Sequence, residues 1–183
     1  EVKYEQDNPK KAYVTRLYNK EFKNTVKERY KSYLLYSIID KMFFDQIREK
    51  DNLVYSISAN HYFNNFKPIE LISFYLSYGA DPNNINLIDK NINIILDKVR
   101  KGNFDLKTFE DKKLTLINDY KSSLESNSTW LSAIHKVDKN NLYLERIMYL
   151  ETIIKSITKR EIAQLAKKYF NGIYFSDIQL ISE

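Results

Sequence analysis

The side chains that most often bind metals or act as general bases are scarce in this sequence. It has no cysteine and two histidines, His61 and His135, which lie far apart in the chain. Neither belongs to an H-E-x-x-H or H-x-x-E-H pattern, the spacing that places two imidazoles on one helical face around zinc. His61 alternates with apolar residues on a predicted strand, so we expect a packed, hydrogen-bonded histidine there. We expect His135 at the surface.

Motifs for nucleophilic or nucleotide chemistry are also absent from the sequence. No G-x-S-x-G, P-loop or dinucleotide fingerprint occurs, and the three glycines could hardly supply one. Without cysteine there is no disulfide, thiolate nucleophile or cysteine-based metal site. Carboxylate pairs such as Glu110 and Asp111 belong to a predicted solvated helix. The sequence therefore predicts a chain with no catalytic centre and no cofactor of its own.

One pair of residues, Arg48 and Tyr55, places a positive charge and a hydroxyl at the junction of a predicted helix and a predicted strand. A structural interpretation accounts for both, because arginine near a helix C-terminus complements the helix dipole and tyrosine is common in strands. Alternation also places Tyr55 on the same side as Leu53 and Ile57, which predicts that it packs in the core. A functional interpretation, in which both side chains bind a ligand, stays open.

The charge of the chain limits the classes of partner. The formal net charge of +5 is compatible with an anionic partner, but the 29 lysines and arginines are interleaved with 24 acidic residues. This dispersal favours a solvated surface, and the tyrosines and lysines follow no nucleic-acid recognition motif. No apolar run approaches the ~20 residues of a transmembrane helix. We therefore predict neither nucleic-acid binding nor a transmembrane segment.

Hydrophobic periodicity predicts the elements that position these residues. Apolar and polar residues alternate in four predicted strands, at 12–18, 53–63, 69–78 and 173–181. Three- and four-residue spacing predicts helices at 22–48, 85–99, 108 to beyond Trp130, 141–154 and 158–170. A Thr158-x-x-Glu161 capping box begins the last helix, and the segment 79–84 is predicted to end one strand and begin a helix.

The order of these elements predicts an α+β fold, a mainly antiparallel sheet of four or so strands with a block of helices packed on one face. A length of 183 residues suits a single domain spanning 1–183, in which 1–10 forms a linker or an edge strand. The chain begins Glu-Val-Lys without methionine, so we expect it to be a piece of a longer protein.

Several segments, in order, resemble the C-terminal domain of pitrilysin/insulysin-type zinc peptidases. Segment 47–58 reads IREKDNLVYSIS and is similar to the family's L-R-E-x-x-G-x-x-Y-x-V-x, with the same seven-residue step from Arg to Tyr. Segment 126–133, SNSTWLSA, matches an Asn-x-x-Trp-Leu-x-x-Leu pattern of the bacterial coenzyme-PQQ-synthesis-like subgroup. The resemblance continues through TKREI and AKKYF, over 158–170. One departure is Leu53-Val54, where the family has Gly-Gly or Leu-Gly before the tyrosine.

The resemblance implies a role within a larger enzyme. Members of this inverzincin family close two halves over a peptide, and their N-terminal part holds zinc. This chain would be the last domain, inactive alone, of a parent zinc metalloendopeptidase. Its partners would be the other domains and a peptide or unfolded-protein substrate, which Arg48 and Tyr55 would contact in the transition state. The bacterial subgroup favours a periplasmic or cell-envelope location over a cytoplasmic one.

A second hypothesis treats the chain as part of a catalytically inactive homologue that serves as a scaffold or assembly subunit. It would keep the fold and lose the zinc site of the parent. The Leu53-Val54 departure is compatible with this alternative.

Overall fold

The computed structural model describes residues 11–64, 70–137, 142–172 and 175–181. The segment 1–10, predicted as a linker or edge strand, and the turn predicted after 63 lie wholly or largely outside these residues. The strands are β1 (Ala12–Glu21), β2 (Val54–Asn64), β3 (Leu71–Ala80) and β4 (Phe175–Ile181). The helices are α1 (Val26–Phe43), α2 (Ile85–Arg100), α3 (Leu106–Ser123), α4 (Asn127–Val137), α5 (Leu142–Ser156) and α6 (Lys159–Tyr169).

The strands form an antiparallel sheet in the order β2-β3-β1-β4. β1 pairs with β3 from Ala12 opposite Ala80 to Glu21 opposite Leu71. Because side chains alternate between the two faces of a strand, one face of the sheet buries its residues under helices and the other does not. The predicted α+β class, with an antiparallel sheet and helices packed on it, is confirmed.

The core lies between the sheet and the helices. α1 contributes Leu34, Leu35, Ile38 and Ile39, none of which is exposed, at the spacing that a core-facing helix requires. A smaller apolar cluster joins α1, α3 and α5, away from the sheet, and consists of Val26, Ile117, Tyr120, Leu150 and Ile154. The helices therefore form a layer with its own packing, beside the main core.

A buried ion pair fixes α2 against the sheet. Arg16 of β1 is only 6% exposed, and its guanidinium lies 2.7 Å from the carboxylate of Asp89 on α2. The Tyr78 hydroxyl of β3 donates a 2.7 Å hydrogen bond to the same carboxylate. Asp89 thus compensates a charge on the covered face of the sheet and orients two strands and one helix.

Replacing Asp89 by asparagine keeps the shape of the side chain and removes its negative charge from beside Arg16. We expect Asp89→Asn to lower the free energy of unfolding by ~3 kcal/mol, because breaking a buried pair costs more than the pair itself contributes. Urea unfolding measures this loss. Asp97→Asn, on the same helix but exposed beside Lys101 and Arg100, is the matched control and should cost far less. Equal losses in the two variants would contradict a special role for Asp89.

The outer edge of β2 is partly capped by side chains. The Asp40 carboxylate of α1 accepts a 2.9 Å hydrogen bond from the backbone N–H of Ala59. Two residues later, the N–H of His61 donates to the side-chain oxygen of Asn60 at 2.7 Å. Because N–H groups of an edge strand alternate in direction, both of these donors point away from β3.

Several element boundaries differ from those predicted. The first helix begins at Val26, because the Thr25 side chain accepts a hydrogen bond from the N–H of Glu28 and caps it there. The helix predicted from 108 beyond Trp130 is two helices, separated by a turn at 124–126. The Trp130 indole donates a 2.7 Å hydrogen bond to the Leu124 carbonyl, which folds α4 back on the end of α3.

Two local signals in the sequence, a capping box and a strand end, are present in the structure. The capping box of Thr158 and Glu161 is present, with both reciprocal hydrogen bonds. Strand β3 ends at Ala80, within the segment 79–84 that was predicted to end it, and a short turn at Pro82–Asn84 leads into α2. A Cβ atom at Gly79 would lie 3.1 Å from the Tyr13 ring and 3.2 Å from the Ser56 hydroxyl. The glycine therefore accommodates an aromatic ring across the sheet rather than a turn.

His61 packs among aromatic rings, as predicted. Its ring centroid lies 4.7 Å from those of Tyr33 and Tyr36 and 4.9 Å from that of Phe63. The predicted hydrogen bond is wrong for Nδ1, which is buried without a hydrogen-bond partner among the described residues. Burial, with a smaller contribution from the charge of Arg29, lowers the pKa of His61 from 6.5 to about 4.

The lowered pKa of His61 predicts a pH-dependent stability. Between pH 6.5 and 4 the unfolded chain binds a proton at this histidine and the folded chain does not, so stability should fall as the pH falls through this range. The loss is at most about 3 kcal/mol. Denaturant unfolding of wild type and His61→Phe at pH 7, 5.5 and 4 tests it. The wild type should lose more stability than the variant, whereas parallel curves would assign the effect to other groups.

Candidate functional site

A π-helical turn, Phe44–Lys50, joins α1 to the start of β2. Ile47 is fully buried and anchors it, and the N–H of Leu53 donates to the carbonyl of Ile47 at 3.1 Å. The N–H of Asp51 donates to the carbonyl of Gln46 at 3.0 Å. A π-helical turn inserts an extra residue into the helical register, and such turns are frequent at functional sites. Here the turn carries Arg48.

Arg48 lies on the exposed side of this turn. Its guanidinium carbon lies 5.3 Å from the ring centroid of Phe44, which is itself partly exposed. Within the described ranges, no carboxylate lies within ion-pair distance of Arg48. The Phe44 ring therefore packs against the Arg48 guanidinium, and the N–H donors of this guanidinium stay available to another molecule.

Asn52 adopts a positive φ of 48°, unlike any other non-glycine residue described. It stands where the family pattern L-R-E-x-x-G-x-x-Y has glycine, and asparagine tolerates this left-handed conformation better than most residues. The preceding Asp51 carboxylate accepts 3.1 Å hydrogen bonds from the side chains of Gln46 and Asn91. The backbone freedom that the turn needs is thus at Asn52, and the Leu53-Val54 departure does not remove it.

Substitutions at Asn52 should separate backbone conformation from side-chain contacts. Asn52→Val should lower the free energy of unfolding by about 1–2 kcal/mol, because a β-branched residue is strained at positive φ. Asn52→Gly should change it by less than about 1 kcal/mol, because glycine adopts the conformation freely but gains entropy in the unfolded chain. Urea unfolding measures both. A glycine variant as unstable as the valine variant would show that the asparagine side chain matters instead.

Tyr55 does not lie in the core, so the prediction from strand alternation was wrong. A β-bulge between Val54 and Ser56 shifts the pairing of β2 with β3. The bulge adds a residue to one strand and breaks the alternation. Tyr55 is 59% exposed, and the Lys11 ammonium lies 6.0 Å from its ring centroid. The bulge thus directs the tyrosine hydroxyl away from the apolar core.

The face of the sheet opposite the helices carries large exposed side chains. We call it the open face, and its members include Tyr13 (57% exposed), Tyr62 (60% exposed), Ile178 and Leu180. The Tyr13 ring covers Gly79. Polar pairs, Thr15 with Ser77 and Asn19 with Ser73, lie on the same face, so the surface is mixed in character. Sequence reasoning did not propose this surface, although alternation in β1 already separates Tyr13 from Ala12 and Val14.

The described residues offer no metal site. In these parts of the chain, no three histidine, cysteine, aspartate or glutamate residues are grouped so that they could hold an ion. His61 is enclosed by aromatic rings, and the side chain of His135, on α4, lies outside the described part. The residues present therefore do not fit a zinc ion. Among the helices described, none is both long and apolar enough to cross a membrane.

Solved structures identify the fold. The periplasmic protease PqqL from Escherichia coli matches all of this chain with a TM-score of 0.82 and 15% identity, over 20% of its own length. A protease from Helicobacter pylori matches 97% of the chain with a TM-score of 0.70 and 16% identity, over 43% of its length. A peptidase M16 inactive domain from Pseudomonas fluorescens matches 96% with a TM-score of 0.74 and 14% identity, over 42% of its length.

These matches confirm at the level of the fold the resemblance predicted from the sequence. The structural neighbours are M16-like peptidases, and this chain spans only a fraction of each. No protein-family model matches the sequence, and neither does any curated protein. At sequence identities of 14–16%, these similarities establish only the fold. The roles of Arg48 and Tyr55 have to be inferred from their geometry.

Proposed function

We propose that this chain is the non-zinc-binding C-terminal domain of a zinc endopeptidase, in which its open face helps to enclose a chamber and contacts the peptide substrate. The observation that carries the proposal is the exposure of Tyr55 at a β-bulge beside a sheet face that none of the described helices covers. Two features support it: the fold matches part of a periplasmic protease over the whole chain, and Arg48 is held at the same sheet end without an acidic partner in the described ranges.

The two side chains suit peptide hydrolysis chemically. Cleavage of an amide builds negative charge on the carbonyl oxygen, and one donor aimed at that oxygen lowers the barrier by roughly 2.7–4 kcal/mol. The Tyr55 hydroxyl can supply such a hydrogen bond. The Arg48 guanidinium can bind a peptide carbonyl or carboxylate through a charge-assisted hydrogen bond. Zinc would supply water activation from other domains of the parent, since the described residues of this chain do not fit the ion.

Placing these donors on a separate domain would couple catalysis to closure. A peptide on the open face would meet apolar tyrosine and aliphatic side chains, which bind extended chains with little sequence preference. The donors would act only when the domain that carries the metal closes over the same peptide. Such closure excludes water and completes the site in one motion.

The test is peptide hydrolysis by the full-length parent. We expect wild type to be inhibited by a chelator, Tyr55→Phe to lower kcat about a hundredfold, and Arg48→Ala to lower kcat or raise KM. The controls are Tyr149→Phe and Arg160→Ala, which remove an equally exposed hydroxyl on α5 and an exposed charge on α6. Both controls should retain wild-type kinetics.

Two results would contradict the proposal. An active parent whose Tyr55→Phe and Arg48→Ala variants match wild type would show that the domain encloses the chamber without contacting the reacting peptide. An inactive parent that lacks a His-x-x-Glu-His motif would remove the peptidase function altogether.

The second outcome would favour the alternative, a catalytically inactive homologue that acts as a scaffold or assembly subunit. The inactive M16 domain from Pseudomonas fluorescens has a similar fold, which is compatible with this alternative. Peptide binding without hydrolysis by the parent would support that function.

A further inference from the structure

A cavity of about 220 Å³ lies between α3, α4 and α5, in the helical layer. It is separate from the open face, because these helices pack on the other side of the sheet. Its polar wall includes Ser128, Thr129 and Ser132 of α4 and Arg146 of α5, and its apolar wall includes Leu124 and Ile147. The cavity is thus amphipathic, and among its described lining residues the one charged side chain is a cation.

Two hydrogen bonds fix the walls of this cavity. The Tyr120 hydroxyl of α3 donates to the carbonyl of Ile147 on α5 at 2.6 Å. The Trp130 indole of α4 donates to the carbonyl of Leu124 at the end of α3 at 2.7 Å. Each bond crosses between two of the three helices, so the space between them is defined by the fold. The Asn-x-x-Trp-Leu segment therefore has a structural role here: it holds α4 at the correct distance from α3.

Arg146 is half-buried, and its charge is not balanced within the described residues. It interacts with the Tyr30 hydroxyl of α1, and its charge partly offsets the rise in the pKa of Tyr30 that burial causes. Throughout the parts of the chain that the structure describes, no carboxylate lies within ion-pair distance of it. A guanidinium has five N–H donors, and a single phenol oxygen cannot satisfy them. A partly desolvated arginine in this state favours an anion beside it.

We propose that this cavity binds a carboxylate carried on a small apolar body. Arg146 would bind the carboxylate, the α4 hydroxyls would supply further hydrogen bonds, and the aliphatic wall would contact the apolar part. The volume corresponds to roughly seven water molecules, enough for a short branched or aromatic acid. The acid has two possible sources, a free metabolite or the C-terminal residue of a peptide, and both present the same chemistry.

The test uses the 183-residue chain in ¹H–¹⁵N correlation spectra at fixed ionic strength. Isovalerate should produce saturable shift changes confined to α4, α5 and the end of α3, and neutral isovaleramide should not. Arg146→Gln should weaken isovalerate binding at least about tenfold, because a hydrogen-bonded charge is lost. Arg160→Gln, which removes an exposed arginine of α6, is the control for net charge and should bind as wild type does.

A second variant keeps the proposal falsifiable if Arg146→Gln destabilises the chain. Ser132→Leu leaves the arginine in place and adds bulk to the cavity wall, so it too should weaken isovalerate binding. Acetyl-Gly-Val with a free C-terminus, compared with its amide, distinguishes a peptide terminus from a free acid. Equal binding of isovalerate and isovaleramide, or equal weakening by Arg146→Gln and Arg160→Gln, would overturn the proposal.

Discussion

A charged side chain on the covered face of a sheet is stable there only if a group of opposite charge lies beside it in the folded protein. Arg16 imposes this condition, because it occupies a core position of β1 between Val14 and Tyr18. Asp89 meets it from α2, and Tyr78 completes the hydrogen bonding from β3. The pair adds little net stability compared with apolar residues, since desolvation offsets the attraction, but it penalises any placement of α2 that separates the two charges. The pair therefore favours the observed placement of α2 over the sheet, together with the apolar core.

The asymmetry of the sheet determines where a partner can bind. The helices cover one side, and large tyrosine and aliphatic side chains stay in solvent on the other. Between α1 and β2 the chain makes two local departures from regular structure, the π-helical turn and the β-bulge. The first carries Arg48 and the second exposes Tyr55. Both departures are anchored by buried neighbours, Ile47 and Val54, so the exposed groups stand on rigid backbone, which a binding site requires.

Local signals predicted much of the fold, and distant partners account for the rest. The Thr158 capping box, the alternation in β1 and β3 and the apolar stripe of α1 depend on neighbours within a few residues, so periodicity was enough to find them. The break between α3 and α4 depends on the Trp130 indole, which donates a hydrogen bond to the carbonyl of Leu124. Helix propensities of single residues do not predict such a contact. The exposure of Tyr55 depends on how β2 pairs with β3, and alternation alone therefore placed it on the wrong side. Asn52 lies between these two cases. The family pattern has glycine at this position, and the positive φ of Asn52 explains that preference.

The Asp40 carboxylate at the outer edge of β2 has a consequence for how this domain meets other extended chains. A strand that approached β2 from outside would have to displace a charged acceptor from Ala59 and an amide oxygen from His61. Both oxygens occupy N–H donors that an added strand would need at the outer edge of β2. Charged side chains protect sheet edges against aggregation in a similar way. Such protection would keep extended chains near the domain from adding further strands to its sheet.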